Sequence, residues 1–139
     1  MQRAEIERIL PHRGRALLLD EVTFDLERNL TIGYLTVREE HCEGHFPDNP
    51  IMRGVDRIEM IALTLGIAAQ GKFPEGSVSY LVGVDGVSFK NIAYLGDRVR
   101  TEVQITKKTR KIIQGNGKAF VGENIVAEVK EIRCIIKIA

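Results

Sequence analysis

The chain has 139 residues, 44% hydrophobic and 28% charged, which suits one ordinary globular domain over residues 1–139. A net charge of +1 gives no global basic field for nucleic acid or an anionic membrane, and the absence of Trp weakens any base-stacking surface. The first ten residues carry Glu5 and Glu7 and no long apolar run, so they read as neither secretory signal nor transit peptide; Cys42 and Cys134 are then expected as reduced thiols in a cytoplasmic protein.

Arg3–Ile9 has the spacing of a short amphipathic helix, stopped by Pro11. Ala16–Arg28 reads as a strand, with Val22, Phe24 and Leu26 alternating against Glu21, Thr23 and Asp25. After a turn at Asn29, Thr31–Val37 alternates again, with Ile32, Tyr34 and Thr36 on one face. Glu39–Pro50 is loop. Val55–Gln70 is a long helix, apolar on almost every face from Met60 to Ala69. That run falls well short of the roughly 18 residues that span a bilayer, so the helix belongs in a core.

Beyond the loop Gly71–Gly76, four strands follow. Val78–Phe89 holds Gly83 and Gly86 as candidate bulges or close approaches. Asn91–Asp97 is a connection ending in a Gly-Asp turn. Arg98–Lys107 alternates cleanly through Val99, Thr101, Val103 and Ile105. Lys111–Val121 is a strand interrupted by Gly115 and Gly117. Gly122-Glu123-Asn124 is a hairpin signal, and Ile125–Ile138 closes the chain. The order predicts an α+β domain, an antiparallel sheet wrapped around one long central helix. One sheet covers only one side of such a helix, so a dimer with a continuous sheet is expected.

The chemistry concentrates between Gly44 and Gln70. His45 sits on a loop whose path Pro47 and Pro50 fix. Glu59 lies on the helix with Val55, Ala62 and Leu63 three and four positions away. A carboxyl against an apolar wall has its charged form disfavoured, and His with such a carboxyl makes an acid–base pair. The competing reading pairs Glu59 with Arg53 or Arg57 at the solvent end of the helix.

Other candidates are weaker. His41, Cys42 and His45 crowd together, yet no second cluster completes a metal site. Cys42 beside His45 could act as a nucleophile, though nothing lowers its thiol pKa. His12 is expected to hydrogen-bond nearby backbone. Gly54, before the helix, can bring a backbone N–H to a ligand at a helix N-terminus.

These residues resemble a known family. Leu10-Pro11-His12-Arg13 with Leu17-Leu18-Leu19-Asp20, then Gly44-His45-Phe46-Pro47, Pro50-Ile51, Gly54-Val55 and Ile58-Glu59, are similar to the (3R)-hydroxyacyl-acyl carrier protein dehydratases of the hot-dog fold. Gly83-Val84-Asp85, Phe89-Lys90 and Gly96-Asp97 extend the likeness nearly end to end. The resemblance implies His45 as catalytic base and Glu59, from the neighbouring subunit, as acid. It implies that the Gly54 N–H holds the thioester carbonyl, with Val55 and Phe46 against the substrate. It further implies acyl carrier protein as partner, a homodimer or trimer of dimers, and no metal or nucleotide cofactor.

Three positions depart from the family pattern: Arg53 in place of Pro, Asp56 in place of an apolar residue, and Leu63 in place of a Gln that would orient the acid. A cation beside Glu59 would favour its charged form, the wrong state for donating a proton. The alternatives are a hot-dog acyl thioesterase and a non-catalytic module that binds acyl chains or their carrier.

Overall fold

The computed structural model describes residues 1–138. Its elements are α1 (Arg3–Ile9), β1 (Glu21–Asp25), β2 (Leu30–Thr36), α2 (Gly54–Ala68), β3 (Ser77–Ser88), β4 (Arg98–Lys108), β5 (Ile112–Val121) and β6 (Asn124–Ile138). The strands form one antiparallel sheet in the order β1-β2-β4-β5-β6-β3. The helix α2 packs across it, against β2, β4, β5 and β6. Among the described residues no helix is long and apolar enough to cross a membrane.

Room for α2 is made by glycines. A Cβ on Gly117 would sit 2.5 Å from Ile61 Cγ2, and one on Gly33 2.5 Å from Thr64 Oγ1. One on Gly115 would meet the Gln104 carbonyl oxygen at 2.5 Å and Leu65 at 2.9 Å. The strand β5 runs on through Gly115 and Gly117, and the interruption expected there takes the form of a register shift against β6 between them. The two glycines bring its backbone up to the helix. A valine at Gly117 should overpack this contact and cost about 1–3 kcal/mol, read as a lower denaturant midpoint with unchanged slope.

The expected strand Ala16–Arg28 divides in two. Gly14–Ala16 forms a 3-10 turn, and pairing begins only at Glu21. Leu17, Leu18 and Leu19 are all buried, so this segment fills core without alternating. Beyond Val22 the apolar face runs out of cover, leaving Phe24 and Leu26 exposed. In β2 the face toward α2 carries Thr31, Gly33 and Leu35, while Ile32, Tyr34 and Thr36 share the other face, as the alternation predicts. Gly33 touches Thr64, while Tyr34 lies under the Arg98 guanidinium.

The strand β3 shifts register between Leu81 and Gly83, consistent with a bulge there. It pairs with β6 alone, so its other edge is free among the described residues. Tyr80, Leu81 and Val82 are exposed on it.

Candidate active site

The loop bearing His45 is tightly turned. Its N–H donates to Cys42 O at 2.9 Å, and Asn49 N–H donates to Phe46 O at 2.8 Å. Gly44 and Phe46 both adopt left-handed backbone, at φ +73° and +59°. For Phe46 that conformation carries strain, which gathers at functional turns. The His45 ring lies edge-on to the Phe46 ring at 4.6 Å, and its Nδ1 is 3.2 Å from Ile51 O. A carbonyl only accepts, so Nδ1 carries the proton and Nε2 presents a lone pair. That is the tautomer a general base needs. Ile51 is itself anchored. It bridges to Tyr94, Met52 N–H donates to Ala93 O at 2.9 Å, and Leu95 N–H donates to Pro50 O at 3.2 Å.

Three residues further, Gly54 opens α2. Hydrogen bonds back to Arg53 O begin only at Asp56, so the N–H groups of Gly54 and Val55 have no protein acceptor among the described residues. They point from a helix N-terminus, where the macrodipole favours developing negative charge. The Phe89 ring closes over Gly54, and a Cβ there would lie 3.1 Å from it. Val55 and Phe46 are 63% and 58% exposed, left uncovered by this chain.

Glu59 sits in a different setting from the apolar wall expected. It lines a cleft of about 620 Å³ with His12, Arg15, Glu40, His41, Arg53 and Asp56. Neither Arg53 nor Arg57 pairs with it. Its neighbour is His12, whose Nε2 is 3.9 Å from Glu59 Oε1. Among the described residues the His12 side chain makes no bond to backbone: its buried Nδ1 has no partner, while the adjacent Arg13 takes the carbonyls of Glu7, Leu10 and His12. Two departures from the family pattern answer each other. The Arg53 guanidinium grips Asp56 through two bonds, at 2.9 and 3.1 Å, so its charge is taken up beside Glu59. Leu63 is buried in the core and offers Glu59 no hydrogen bond. Within one chain His45 does not line the Glu59 cleft.

The crowded 41–45 segment disperses. Among the described residues no group of three His, Cys, Asp or Glu side chains is arranged to hold a metal ion. Cys42 is buried and burial pushes its thiol pKa up, against a nucleophilic role. His41 is buried too. Its Nδ1 accepts the Arg38 N–H at 2.9 Å, so Nε2 carries a proton; among the described residues it makes no hydrogen bond, and the nearest carboxylate oxygen, Glu40 Oε1, is 3.6 Å away. Burial, then the Arg38 charge, lowers its pKa; Glu40, Asp20 and Asp56 oppose the shift. The unfolded chain therefore binds the extra proton first. Stability should be full above the ordinary imidazole range and fall as pH drops through and below it. His41→Asn keeps the acceptor for Arg38, and denaturant midpoints below the ordinary imidazole range should decline less steeply in it than in the wild type.

Comparison with known proteins fits this frame. The FabA-like domain family matches residues 10–130. The 3-hydroxyacyl-acyl-carrier-protein dehydratase FabZ of Cupriavidus taiwanensis is 34% identical, covering 99% of this chain and 98% of that protein. The FabZ of Roseiflexus sp. is 40% identical over 89% of each. Among solved structures, the dehydratase heterocomplex ApeI:P from Xenorhabdus doucetiae superposes with a TM-score of 0.78 at 18% identity, covering 95% of this chain and 90% of that one. The fluoroacetyl-CoA thioesterase FlK superposes at 0.69 with 9% identity, over 78% and 85%. Those two likenesses are of fold, the hot-dog, and the extended sequence identity decides the rest: the chain belongs to the FabA-like domain family.

Proposed function

We propose that the protein removes water from (3R)-hydroxyacyl thioesters borne on acyl carrier protein, giving the trans-2-enoyl thioesters of fatty acid synthesis. The observation that carries this reading is the His45 imidazole, tied through Nδ1 to Ile51 O, on the loop that leads into the uncapped N-terminus of α2. His45 Nε2 takes the proton alpha to the thioester. The electron pair moves toward the carbonyl oxygen, which the Gly54 N–H holds. Glu59 of the partner subunit protonates the departing β-hydroxyl, and water leaves as the Cα–Cβ double bond forms. A proton returned from His45 to Glu59 resets the site.

The free β3 edge supports a homodimer in which two such edges pair into one continuous sheet, and a trimer of dimers is built from the same unit. That partner would cover Phe46 and Val55, the proposed substrate walls, which one chain leaves bare. The test uses crotonyl and 3-hydroxybutyryl thioesters on acyl carrier protein. Loss of enoyl absorbance without free thiol is the expected result. Release of free thiol would make the protein a thioesterase, and silence toward both would leave a binding module.

A further inference from the structure

Arg57 stands one turn into α2 and is only 6% exposed. Among the described residues no carboxylate lies within salt-bridge range of it, and its Nε has no partner. What it holds is backbone and a ring. Nη1 donates to Asn91 O at 2.9 Å and Val126 O at 2.6 Å, and the guanidinium lies 4.9 Å from the Phe89 centroid. A buried cation without a counter-charge is costly, and an apolar side chain serves stability as well or better.

The bonds lead to the site. Asn91 is pinned twice, by Arg57 at its carbonyl and by its own Nδ2 to Ile125 O at 2.8 Å. Two residues on, Ala93 takes the Met52 N–H, and the connection then pairs Tyr94 with Ile51 and Leu95 with Pro50. Ile51 O holds His45 Nδ1. In the other direction, Phe89 lies between Arg57 and Gly54. One side chain thus reaches both the base and the carbonyl-binding N–H.

We infer that Arg57 is a positioning residue: it clasps the connection from Phe89 to Leu95 onto the first turn of α2 and so sets the His45 imidazole and the Gly54 N–H together. This rests on the roles proposed above for those two groups. Arg57→Leu should lower kcat roughly 10- to 100-fold, since small misplacements of reacting groups have such effects, with KM changed far less.

The second readout is independent of activity. The chain has three histidines, so their ring nitrogens can be assigned by 15N NMR. Wild-type His45 should show the proton on Nδ1. In Arg57→Leu its signals should shift toward a mixture of tautomers, while His41 keeps its proton on Nε2. Arg57→Lys, which keeps the charge but not the fork or the stacked plane, should fold and fall between the two in both readouts. A folded Arg57→Leu with wild-type kcat and an unchanged His45 spectrum overturns the inference. Should that variant fail to fold, wild-type behaviour of Arg57→Lys overturns it instead. If the wild type itself lacks dehydratase activity, the proposed function fails, and the His45 spectrum still decides the positioning.

Discussion

Replacing His45 with alanine is expected to lower turnover roughly 100- to 10,000-fold, the contribution of a positioned general base, with the fold intact. Among the described residues the ring is bonded at one nitrogen only, to Ile51 O, so its removal should cost about 1 kcal/mol of stability. The loop path is otherwise held by backbone bonds, His45 N–H to Cys42 O and Asn49 N–H to Phe46 O, which alanine retains. Steady-state hydration of a crotonyl thioester gives the turnover, and a denaturant midpoint close to wild type shows that the loss is chemical. Wild-type turnover in a folded His45→Ala enzyme would remove the base from the mechanism.

An equally large loss, again roughly 100- to 10,000-fold, is expected for Glu59→Gln. Glutamine keeps the size of the side chain and can still meet His12, whose Nε2 lies 3.9 Å away. It cannot deliver a proton to a leaving hydroxyl. Glu59 is 38% exposed in the single chain and stands in no buried ion pair, so the exchange should leave stability within about 0.5 kcal/mol. The Arg53–Asp56 pair bears on the same reaction. With Asp56 absent, Arg53 loses the carboxylate it grips, and its charge becomes available to the other acids in the cleft, Glu59 among them.

Much of the architecture was legible because periodicity is local. Val99, Thr101 and Val103 alternate in sequence and are the residues β4 buries. Gly122 turns between β5 and β6 at a left-handed φ of +60°. The helix was expected from Val55 and begins at Gly54. What escaped depends on contacts distant in sequence. Three successive leucines, Leu17–Leu19, read as strand because burial on both sides leaves no period to detect. Gly115 and Gly117 read as an irregularity, which the β5–β6 register shift between them bears out, but that they also lie under the helix cannot be seen until the helix is in place. His12 meets Glu59 from 47 residues away, and Arg57 looks in sequence like any helical surface charge. The residue types alone pointed to His45 and Glu59 as an acid–base pair, and the resemblance added which is base, which is acid, and the neighbouring subunit as the source of Glu59. The Nδ1 anchor and the free Gly54 N–H came from the fold.

The central claim is that imidazole and carboxyl act across a subunit boundary, and mixing the two inactive variants tests it. If the sites are shared in the proposed dimer, co-refolded His45→Ala and Glu59→Gln chains would form mixed dimers in which one site carries both substitutions and the other carries neither. Random pairing then restores about a quarter of wild-type sites, so turnover should rise from near zero to that fraction. Mixed dimers that form, as mass spectrometry would show, and stay as inactive as their parents would place both groups on one chain and contradict the account.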